Sequence, residues 1–182
     1  MGNHAQGGGV SRAASYLWGP FTPLGFIVAF VAVALDQASK LWLLFVFHLA
    51  DKGIVRVAPF IDFVLTWNTG ISYGLFQNDG AFARWFWLAV KLAAVLALWL
   101  WLARAQSRLT ALALGLIIGG AIGNAIDRLS HGAVVDFVLF HIETADWRFN
   151  WYVFNLADAA IVAGVAVLLY ESFFPGRAVK AP

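Results

Sequence analysis

The sequence predicts an all-α membrane protein with four transmembrane helices and a small extracytoplasmic β element. Of its 182 residues, 62% are hydrophobic and only 12% are charged, whereas charged residues make up about 25% of a typical soluble domain. Four separate apolar segments are also long enough to cross a bilayer, which needs ~20 residues. The length suits one domain, so we expect residues 1–182 to form a single membrane-embedded unit.

The four predicted spans leave two long loops and one short hairpin between them. They lie at about 23–47, 82–103, 109–126 and 151–174. Lysine and arginine near span ends usually mark the cytoplasmic side, but with both termini inside each side carries five of them, so the count does not choose an orientation. The hairpin at 103–110 is basic and free of acids, which favours termini inside. We therefore expect a flexible cytoplasmic tail over residues 1–20.

The first outer loop has the character of β-strands. Residues 54–57 and 60–65 are β-branched or aromatic and are separated by Pro59, which indicates two short strands. Asn68-Thr69-Gly70 then indicates a turn, and residues 72–76 are predicted to form a short surface helix. Because irregular backbone does not face lipid, we expect this loop at the interface or over a cavity.

Composition disfavours several classes of site. The chain has no cysteine, which removes disulfides, thiolate metal ligands and a cysteine nucleophile. Its net charge is only +2 and it has no basic run, so we expect no nucleic-acid partner. The motifs His-Glu-x-x-His and Gly-x-Ser-x-Gly are both missing from the sequence, which argues against the zinc proteases and serine hydrolases that use them. We expect no metal and no cofactor.

Two aspartates, Asp136 and Asp158, stand at the edges of apolar sequence. Asp136 follows two valines in a short extended stretch, and Asp158 lies at the start of the last span. An ionisable group is costly to keep at a membrane, which makes each aspartate a functional-site hypothesis. Two carboxylates within hydrogen-bond reach share one proton. The ionised one can then activate water while the protonated one polarises a carbonyl, which is chemistry that cleaves a peptide bond without a metal.

Other interpretations of these two residues stay open. Asp136 could be an ordinary solvated acid in a loop. Asn155 and Asp158 have the spacing of a helix N-cap and its N3 acid. A helix that begins at Trp151 would instead place both of them inside the span, and this is the interpretation that we favour.

Two charged residues also lie inside the first predicted span. Asp36 and Lys40 are four residues apart on one helical face, where they can form an ion pair that neutralises itself. The same pair can also face the bundle interior and support a polar site. Both interpretations can hold together.

The third span carries small residues beside a polar face. Three glycines are spaced by four, namely Gly115, Gly119 and Gly123. This spacing lets helix backbones approach closely, so we expect helix packing there. Gly120, Asn124 and Asp127 share the neighbouring face, where the two polar groups could form a hydrated helix end or point at a shared site. Arg128 could pair with Asp127 or reach other carboxylates.

Five motifs occur in a characteristic order along the chain. They are Asp36-Gln37-Ala38-Ser39-Lys40, Asn68-Thr69-Gly70, Gly119-Gly120-Ala121-Ile122-Gly123-Asn124-Ala125-Ile126-Asp127-Arg128, Gly132-Ala133-Val134-Val135-Asp136-Phe137 and Phe154-Asn155-Leu156-Ala157-Asp158. Each motif alone is weak. Five of them in this order, on four spans, resemble the lipoprotein signal peptidases, also called signal peptidase II, over about residues 24–174.

This resemblance implies a multi-pass aspartic endopeptidase of the bacterial inner membrane. Its substrate would be a prolipoprotein that carries diacylglycerol on the lipobox cysteine, and cleavage would fall just before that cysteine. The catalytic pair would be Asp136 and Asp158. The supporting residues would be Asp36, Lys40, Asn68, Gly120, Asn124, Asp127, Arg128 and Asn155.

The same resemblance carries expectations about surroundings and partners. It implies a small β-cradle in the first outer loop, cytoplasmic termini and a site at the outer face. The partners would be prolipoprotein, membrane lipid and the inhibitor globomycin. We expect the protein to act as a monomer.

The residues themselves leave three rival functions. A small transporter or proton channel could use a relay of intramembrane charges, formed by Asp36, Lys40, Asp127 and Asp158. A non-catalytic assembly factor could use the glycine stripe to bind partner helices. A metal enzyme could gather His131 and His141 with the two candidate aspartates around an ion, although their spacing is not typical of ligands.

Overall fold

The computed structural model describes residues 17–70, 81–144 and 146–174, in which four long helices carry a four-stranded sheet. The helices are α1 (Thr22–Phe45), α2 (Leu49–Lys52), α3 (Ala81–Ala103), α4 (Arg108–His131) and α5 (Leu156–Phe173). The strands are β1 (Val55–Ala58), β2 (Ile61–Asn68), β3 (Val134–Glu143) and β4 (Arg148–Asn150).

Three helices, α1, α4 and α5, are long and apolar enough to cross a membrane. The described residues therefore form a helical membrane protein with three candidate spans and a small antiparallel sheet. The helix α3 runs for 23 residues and coincides with the predicted span at 82–103. Its apolar portion is described over Ala93–Ala103, so the crossing of the membrane by this fourth helix stays a prediction.

Close backbone contact holds α4 against α1, as the spacing of the glycines predicts. A Cβ atom on Gly115 would lie 2.6 Å from the Gly25 carbonyl oxygen, and one on Gly119 would lie 2.6 Å from that of Ala29. No side chain fits at such distances, so these positions require glycine if the two backbones are to stay in contact. The predicted packing role of Gly115 and Gly119 is confirmed.

The helix α4 extends at its C-terminal end beyond the apolar segment predicted at 109–126. It starts at the N-cap Ser107, whose hydroxyl accepts a hydrogen bond from the Thr110 N–H. It ends only at Gly132, which adopts a left-handed conformation with φ of 75°, the usual helix stop. Asp127 lies one residue past the predicted end of the span and is buried within this helix, and the span boundary near residue 126 stays a prediction.

The sheet has the order β1-β2-β3-β4 and is antiparallel throughout. The predicted strands at 54–57 and 60–65 correspond to β1 and β2 and are confirmed. Neither the length of β3 nor its hairpin with β4 is predicted, since residues 137–150 were expected to form a loop. The register sets Asp136 of β3 opposite Thr66 of β2, at the end of the sheet that adjoins the helices.

The sheet presents two different faces, because side chains alternate along each strand. Asp62 and His141 share one face, where the His141 Nδ1 lies 3.3 Å from the Asp62 carboxylate. The opposite face carries Asp136 at one end and apolar side chains beyond it. These include Phe140, Ile142, Phe149 and the exposed rings of Trp147 and Trp151, with Phe149 in ring contact with both tryptophans.

Two predictions fall on parts of the chain that the structure does not describe. The first is the predicted tail, of which residues 1–16 lie outside the described residues. Trp18, at the end of this tail, is described and packs on Trp99 with ring centroids 6.2 Å apart. The predicted surface helix at 72–76 also lies outside the described residues. The short helix α2, which follows α1, is not predicted by the sequence.

Candidate active site

Asp136 lies on β3 and is only 2% exposed. Its Oδ2 accepts a hydrogen bond from Asn68 Nδ2 at 3.0 Å, and its Oδ1 accepts one from Asn155 Nδ2 at 2.6 Å. The alternative in which Asp136 is a solvated loop acid is therefore wrong. The pairing of β2 with β3 brings Asn68 to this carboxylate, and Asn155 arrives from the start of α5.

Asp158 lies in the first turn of α5 and forms a capping box with Asn155. The Asn155 Oδ1 accepts from the Asp158 N–H at 3.0 Å, and the Asp158 Oδ2 accepts from the Asn155 N–H at 3.3 Å. A helix start at Trp151 is thus wrong, because Phe154 is still extended and bonds with Val138 of β3. The cap orients the Asp158 carboxylate toward the same place as Asp136.

Two asparagines connect the two aspartates. The Asn155 amide nitrogen contacts Asp136 Oδ1 and also donates to Asn124 Oδ1 at 3.1 Å. The Asn124 amide nitrogen in turn donates to Asp158 Oδ1 at 2.8 Å. Asp136, Asn155, Asn124 and Asp158 therefore form a continuous hydrogen-bonded line that joins β3, α5 and α4.

Burial raises the pKa of Asp136 above its ordinary value, and the neighbouring Asp158 carboxylate adds to this rise. The hydrogen bonds from Asn68 and Asn155 and the more distant Lys40 ammonium act in the opposite direction. The net effect favours a proton on Asp136. Asp158 is only partly buried, so it remains within reach of water.

A second group of charges lies directly beneath this line. Asp36, Lys40 and Asp127 are all buried, and the Lys40 Nζ lies 2.7 Å from a carboxylate oxygen of each aspartate. Lys40 also reaches Asn124 Oδ1 at 3.4 Å. Both interpretations of Asp36 and Lys40 hold, because the pair is neutralised internally and also contacts the site.

The two lower carboxylates also bind the backbone beside the candidate pair. Asp36 Oδ1 accepts from the N–H of Ala157, and Asp127 Oδ2 accepts from the N–H of Val135. Gln37, which the sequence did not lead us to include in the site, contacts Asp36 and Asp127 through its amide nitrogen. Burying an uncharged amide costs much less free energy than burying a charge. A glutamine in an apolar span therefore stands out less in the sequence than Asp36 or Lys40.

The remaining predicted site residues, Gly120 and Arg128, differ in how they contact the residues around Asp136 and Asp158. Gly120 allows close contact of α4 with the Ala157 carbonyl of α5, since a Cβ atom would clash there. Arg128 is exposed, and its guanidinium reaches the Asn124 carbonyl oxygen at 3.4 Å. The predicted ion pair of Arg128 with Asp127 does not form between these described side chains, because Lys40 and Gln37 occupy the Asp127 carboxylate.

The metal-dependent alternative does not agree with the positions of the histidines. His141 points to the other face of the sheet, next to Asp62, and the His131 ring packs on Trp67. Within residues 17–70, 81–144 and 146–174, no three acidic or histidine side chains are arranged to hold a metal ion.

The geometry can support acid and base catalysis at one place. A buried carboxyl that favours its proton can donate to a polarised oxygen or a leaving nitrogen, and a partly solvated carboxylate can take a proton from water. Fixed amides from Asn155 and Asn124 hold both groups without adding charge. The arrangement therefore suits hydrolysis of a polarised bond presented at the N-terminal end of α5.

Known proteins match this chain over most of its length. The family model of signal peptidase (SPase) II matches residues 28–174. A lipoprotein signal peptidase of Nitrobacter hamburgensis is 61% identical over 163 residues, which cover 88% of this chain and 99% of that protein. One from Rhodopseudomonas palustris strain TIE-1 is 59% identical over 159 residues, covering 87% of this chain and 97% of that protein.

Solved structures share the fold. A bacterial membrane enzyme solved by the in meso method at 1.9 Å resolution has a TM-score of 0.69 at 24% identity, over 86% of this chain and 96% of that one. A second such structure, at 2.3 Å resolution, has a TM-score of 0.67 at 23% identity, over 89% and 96% of the two chains. At these identities the likeness concerns the fold.

Proposed function

The chain belongs to the signal peptidase II family, a family of membrane peptidases, and on this premise we propose that it is an aspartic endopeptidase acting on diacylglyceryl-modified prolipoproteins. It removes the signal peptide by cleaving just before the lipidated lipobox cysteine. Asp136 and Asp158 are the catalytic pair. The family assignment does not favour the transporter or proton-channel alternative.

The observation that carries the proposal is the line of hydrogen bonds from Asp136 through Asn155 and Asn124 to Asp158. It holds two carboxyl groups beside each other with neutral bridges, so their mutual repulsion is not cancelled by a cation in direct contact. Such a pair retains one proton between them. We assign this proton in the resting site to Asp136, whose pKa is raised by burial.

The reaction then needs only the two carboxyl groups and water. Asp158 takes a proton from a water molecule as that water attacks the scissile carbonyl carbon, and the Asp136 proton stabilises the developing oxyanion. When the tetrahedral intermediate collapses, a carboxyl group donates a proton to the leaving amine.

The polarity of the two ends of the bundle supports a site at the outer face. The hairpin between α3 and α4 carries Arg104 and Arg108, and positive charge in short loops marks the cytoplasmic side. Asp127 and Asp136 lie at the opposite end of α4 from this hairpin. With α3 as the fourth span, both termini are then cytoplasmic, in the bacterial inner membrane.

The two-faced sheet supports the same orientation. Its apolar face, with Phe140, Ile142 and the rings of Trp147, Phe149 and Trp151, is continuous with the face that carries Asp136. Aromatic side chains favour the membrane interface, so this face rests on the outer leaflet. A substrate anchored by diacylglycerol in that leaflet would present its scissile bond at the level of the two aspartates.

The test is cleavage of a purified diacylglyceryl-modified prolipoprotein by the full chain in detergent. Asp136→Asn and Asp158→Asn should each lower the rate about 10³-fold or more, because each removes a proton-transfer group. The matched control is Asp146→Asn, the same substitution at an exposed aspartate, which should cleave at the wild-type rate. Globomycin should inhibit the wild-type reaction.

Near-normal cleavage by either Asp136→Asn or Asp158→Asn would refute the aspartic mechanism. Cleavage of the same precursor before its lipid modification, at an equal rate, would refute the substrate class. The monomeric state stays a prediction, which size-exclusion chromatography with light scattering in detergent can check.

A further inference from the structure

Gln37 occupies a position between two buried carboxylates that belong to different helices. It lies on α1, next to Asp36, and its amide nitrogen is 2.9 Å from Asp127 Oδ1 on α4 and 3.2 Å from Asp36 Oδ2. The same nitrogen lies 3.1 Å from the Gly123 carbonyl oxygen. Two N–H donors thus serve three acceptors, all of them near the centre of the site.

The two carboxylates that Gln37 joins have the same structural role, because each accepts a hydrogen bond from a backbone N–H next to a proposed catalytic aspartate. Asp36 holds the N–H of Ala157 at 2.9 Å, and Ala157 directly precedes Asp158. Asp127 holds the N–H of Val135 at 3.0 Å, and Val135 directly precedes Asp136. Each lower aspartate therefore anchors the backbone one residue before a proposed catalytic aspartate.

Lys40 and Gln37 bridge the same two carboxylates in different ways. The Lys40 ammonium is a compact charge with contacts of 2.7 Å to both, which supplies attraction but little direction. The Gln37 amide is planar and directional and adds no charge. With one cation for two carboxylates, a neutral donor completes their hydrogen bonding without altering the charge of the site.

We infer that Gln37 is a positioning residue, which sets the separation of Asp136 and Asp158 by bridging the two carboxylates that anchor their backbone segments. This inference rests on the proposed catalytic pair. Gln37 itself lies beneath the pair and acts only through Asp36 and Asp127. Its role is to hold β3 and the first turn of α5 at a fixed spacing.

A wider spacing has a specific chemical signature. The charged groups that act on Asp136 are the Asp158 carboxylate, which raises its pKa, and the Lys40 ammonium, which lowers it. If the two aspartates move apart, the repulsion from Asp158 weakens and the pKa of Asp136 falls. The shared proton is then lost at lower pH, so the alkaline limb of the pH–rate profile moves toward acid.

The experiment compares Gln37→Leu with the wild type, using the full chain in detergent and a synthetic diacylglyceryl-modified lipobox peptide. We expect kcat to fall about 10–100-fold, since a misplacement of about 1 Å can cost about 10²-fold. KM should stay within about twofold, because no substrate contact is removed. The alkaline limb should move to lower pH.

Two further variants keep the result interpretable. Gln37→Asn retains an amide in this polar environment but is too short to bridge, so it should fold and show the same changes in kcat and in the alkaline limb. Ser39→Ala is the matched control on the same helix turn, because the Ser39 hydroxyl donates to the Asp36 carbonyl oxygen of its own helix. It should behave as the wild type.

The outcomes separate this inference from the proposed mechanism. A wild-type kcat in both Gln37 variants, or a lower kcat with the alkaline limb unmoved, would overturn the positioning role. Cleavage by Asp136→Asn would instead overturn the catalytic pair, whatever the Gln37 variants do. An inactive Asp136→Asn beside fully active Gln37 variants would leave the pair intact and remove Gln37 from its support.

Discussion

Two pairs of aspartates lie one above the other in this molecule, and they differ in what bridges them. Asp36 and Asp127 are buried, and both contact the Lys40 ammonium at 2.7 Å. Asp136 and Asp158 are bridged by the neutral amides of two asparagines along the hydrogen-bonded line. The first we call the anchoring pair, and the second, for the role that we propose, the catalytic pair.

The difference teaches which aspartates can do chemistry. A cation between two carboxylates allows both to stay ionised and fixed, and such an arrangement suits a scaffold. Neutral amides orient the carboxylates but leave their repulsion in place, and the Asp158 carboxylate therefore adds to the burial that raises the pKa of Asp136. Asp36 and Asp127 thus support the backbone, while we propose that Asp136 and Asp158 hold a proton that can be transferred.

Removal of the cation should have the largest effect on stability. Lys40→Met leaves two buried carboxylates without a counter-charge, which should lower the free energy of unfolding by about 3–5 kcal/mol. Lys52→Met is the matched control, because Lys52 is exposed on α2, and surface charges contribute about 0–1 kcal/mol. Thermal unfolding of the purified proteins in detergent measures both. Equal melting temperatures for the two variants would contradict the role of Lys40 as the bridge.

The amide bridge should matter for activity more than for stability. Asn155→Ser keeps an N-cap for α5 but loses the donor to Asp136 and to Asn124. A misplacement of about 1 Å can cost about 10²-fold in rate, so we expect kcat to fall about 10–100-fold. An unsatisfied buried acceptor costs about 1–3 kcal/mol, so the melting temperature should fall only modestly. Asn155→Ala loses the cap as well, so its free energy of unfolding should be lower than that of Asn155→Ser by about 1 kcal/mol. Full activity of Asn155→Ser would show that the bridge is not needed.

The smallest expected effect is the contribution of Asp136 to the dependence of stability on pH. The pKa of Asp136 is raised in the folded protein above the ordinary value of 3.8, so the folded state binds the proton more tightly. This contribution is full at pH below the ordinary pKa and is lost as the pH rises through the raised pKa. Each unit of the rise corresponds to about 1.4 kcal/mol.

Melting curves over a pH series can isolate this contribution. In the wild type the stabilising contribution of Asp136 is lost as the pH increases. In Asp136→Asn this contribution is absent at every pH. The melting temperature of the variant should therefore fall less than that of the wild type over the same rise in pH. An identical pH dependence in the two proteins would mean that the carboxyl does not hold its proton on folding.

Three candidate spans and the positions of the four long helices follow well from the sequence, because long apolar segments are strong signals. The strand pattern of residues 54–65 was also clear enough to place β1 and β2. The five motifs pointed to Asp136 and Asp158 over Asp36 and Asp127, which look equally conspicuous as charges. The structure brings these four residues into one connected network.

The sequence predicts the structure least well where a contact with a residue far away in the sequence determines the local structure. The helix α4 continues past the predicted span end at residue 126, because Lys40 from α1 compensates the charge of Asp127 inside the helix. The last helix seemed to start at Trp151, but pairing of Phe154 with Val138 keeps that segment extended up to the Asn155 cap. Neither contact, that of Lys40 with Asp127 or that of Val138 with Phe154, can be read from the local sequence. The contact of Gln37 with Asp127 cannot be read from it either.

The central claim is that the catalytic pair transfers protons and the anchoring pair does not. Its most direct test is the single-turnover rate of prolipoprotein cleavage per folded molecule for Asp136→Asn, Asp158→Asn and Asp127→Asn. The account predicts no measurable cleavage for the first two, and slower but detectable cleavage for Asp127→Asn, which keeps an oxygen for the Val135 N–H. Cleavage by Asp136→Asn or Asp158→Asn at a rate equal to or above that of Asp127→Asn would contradict it.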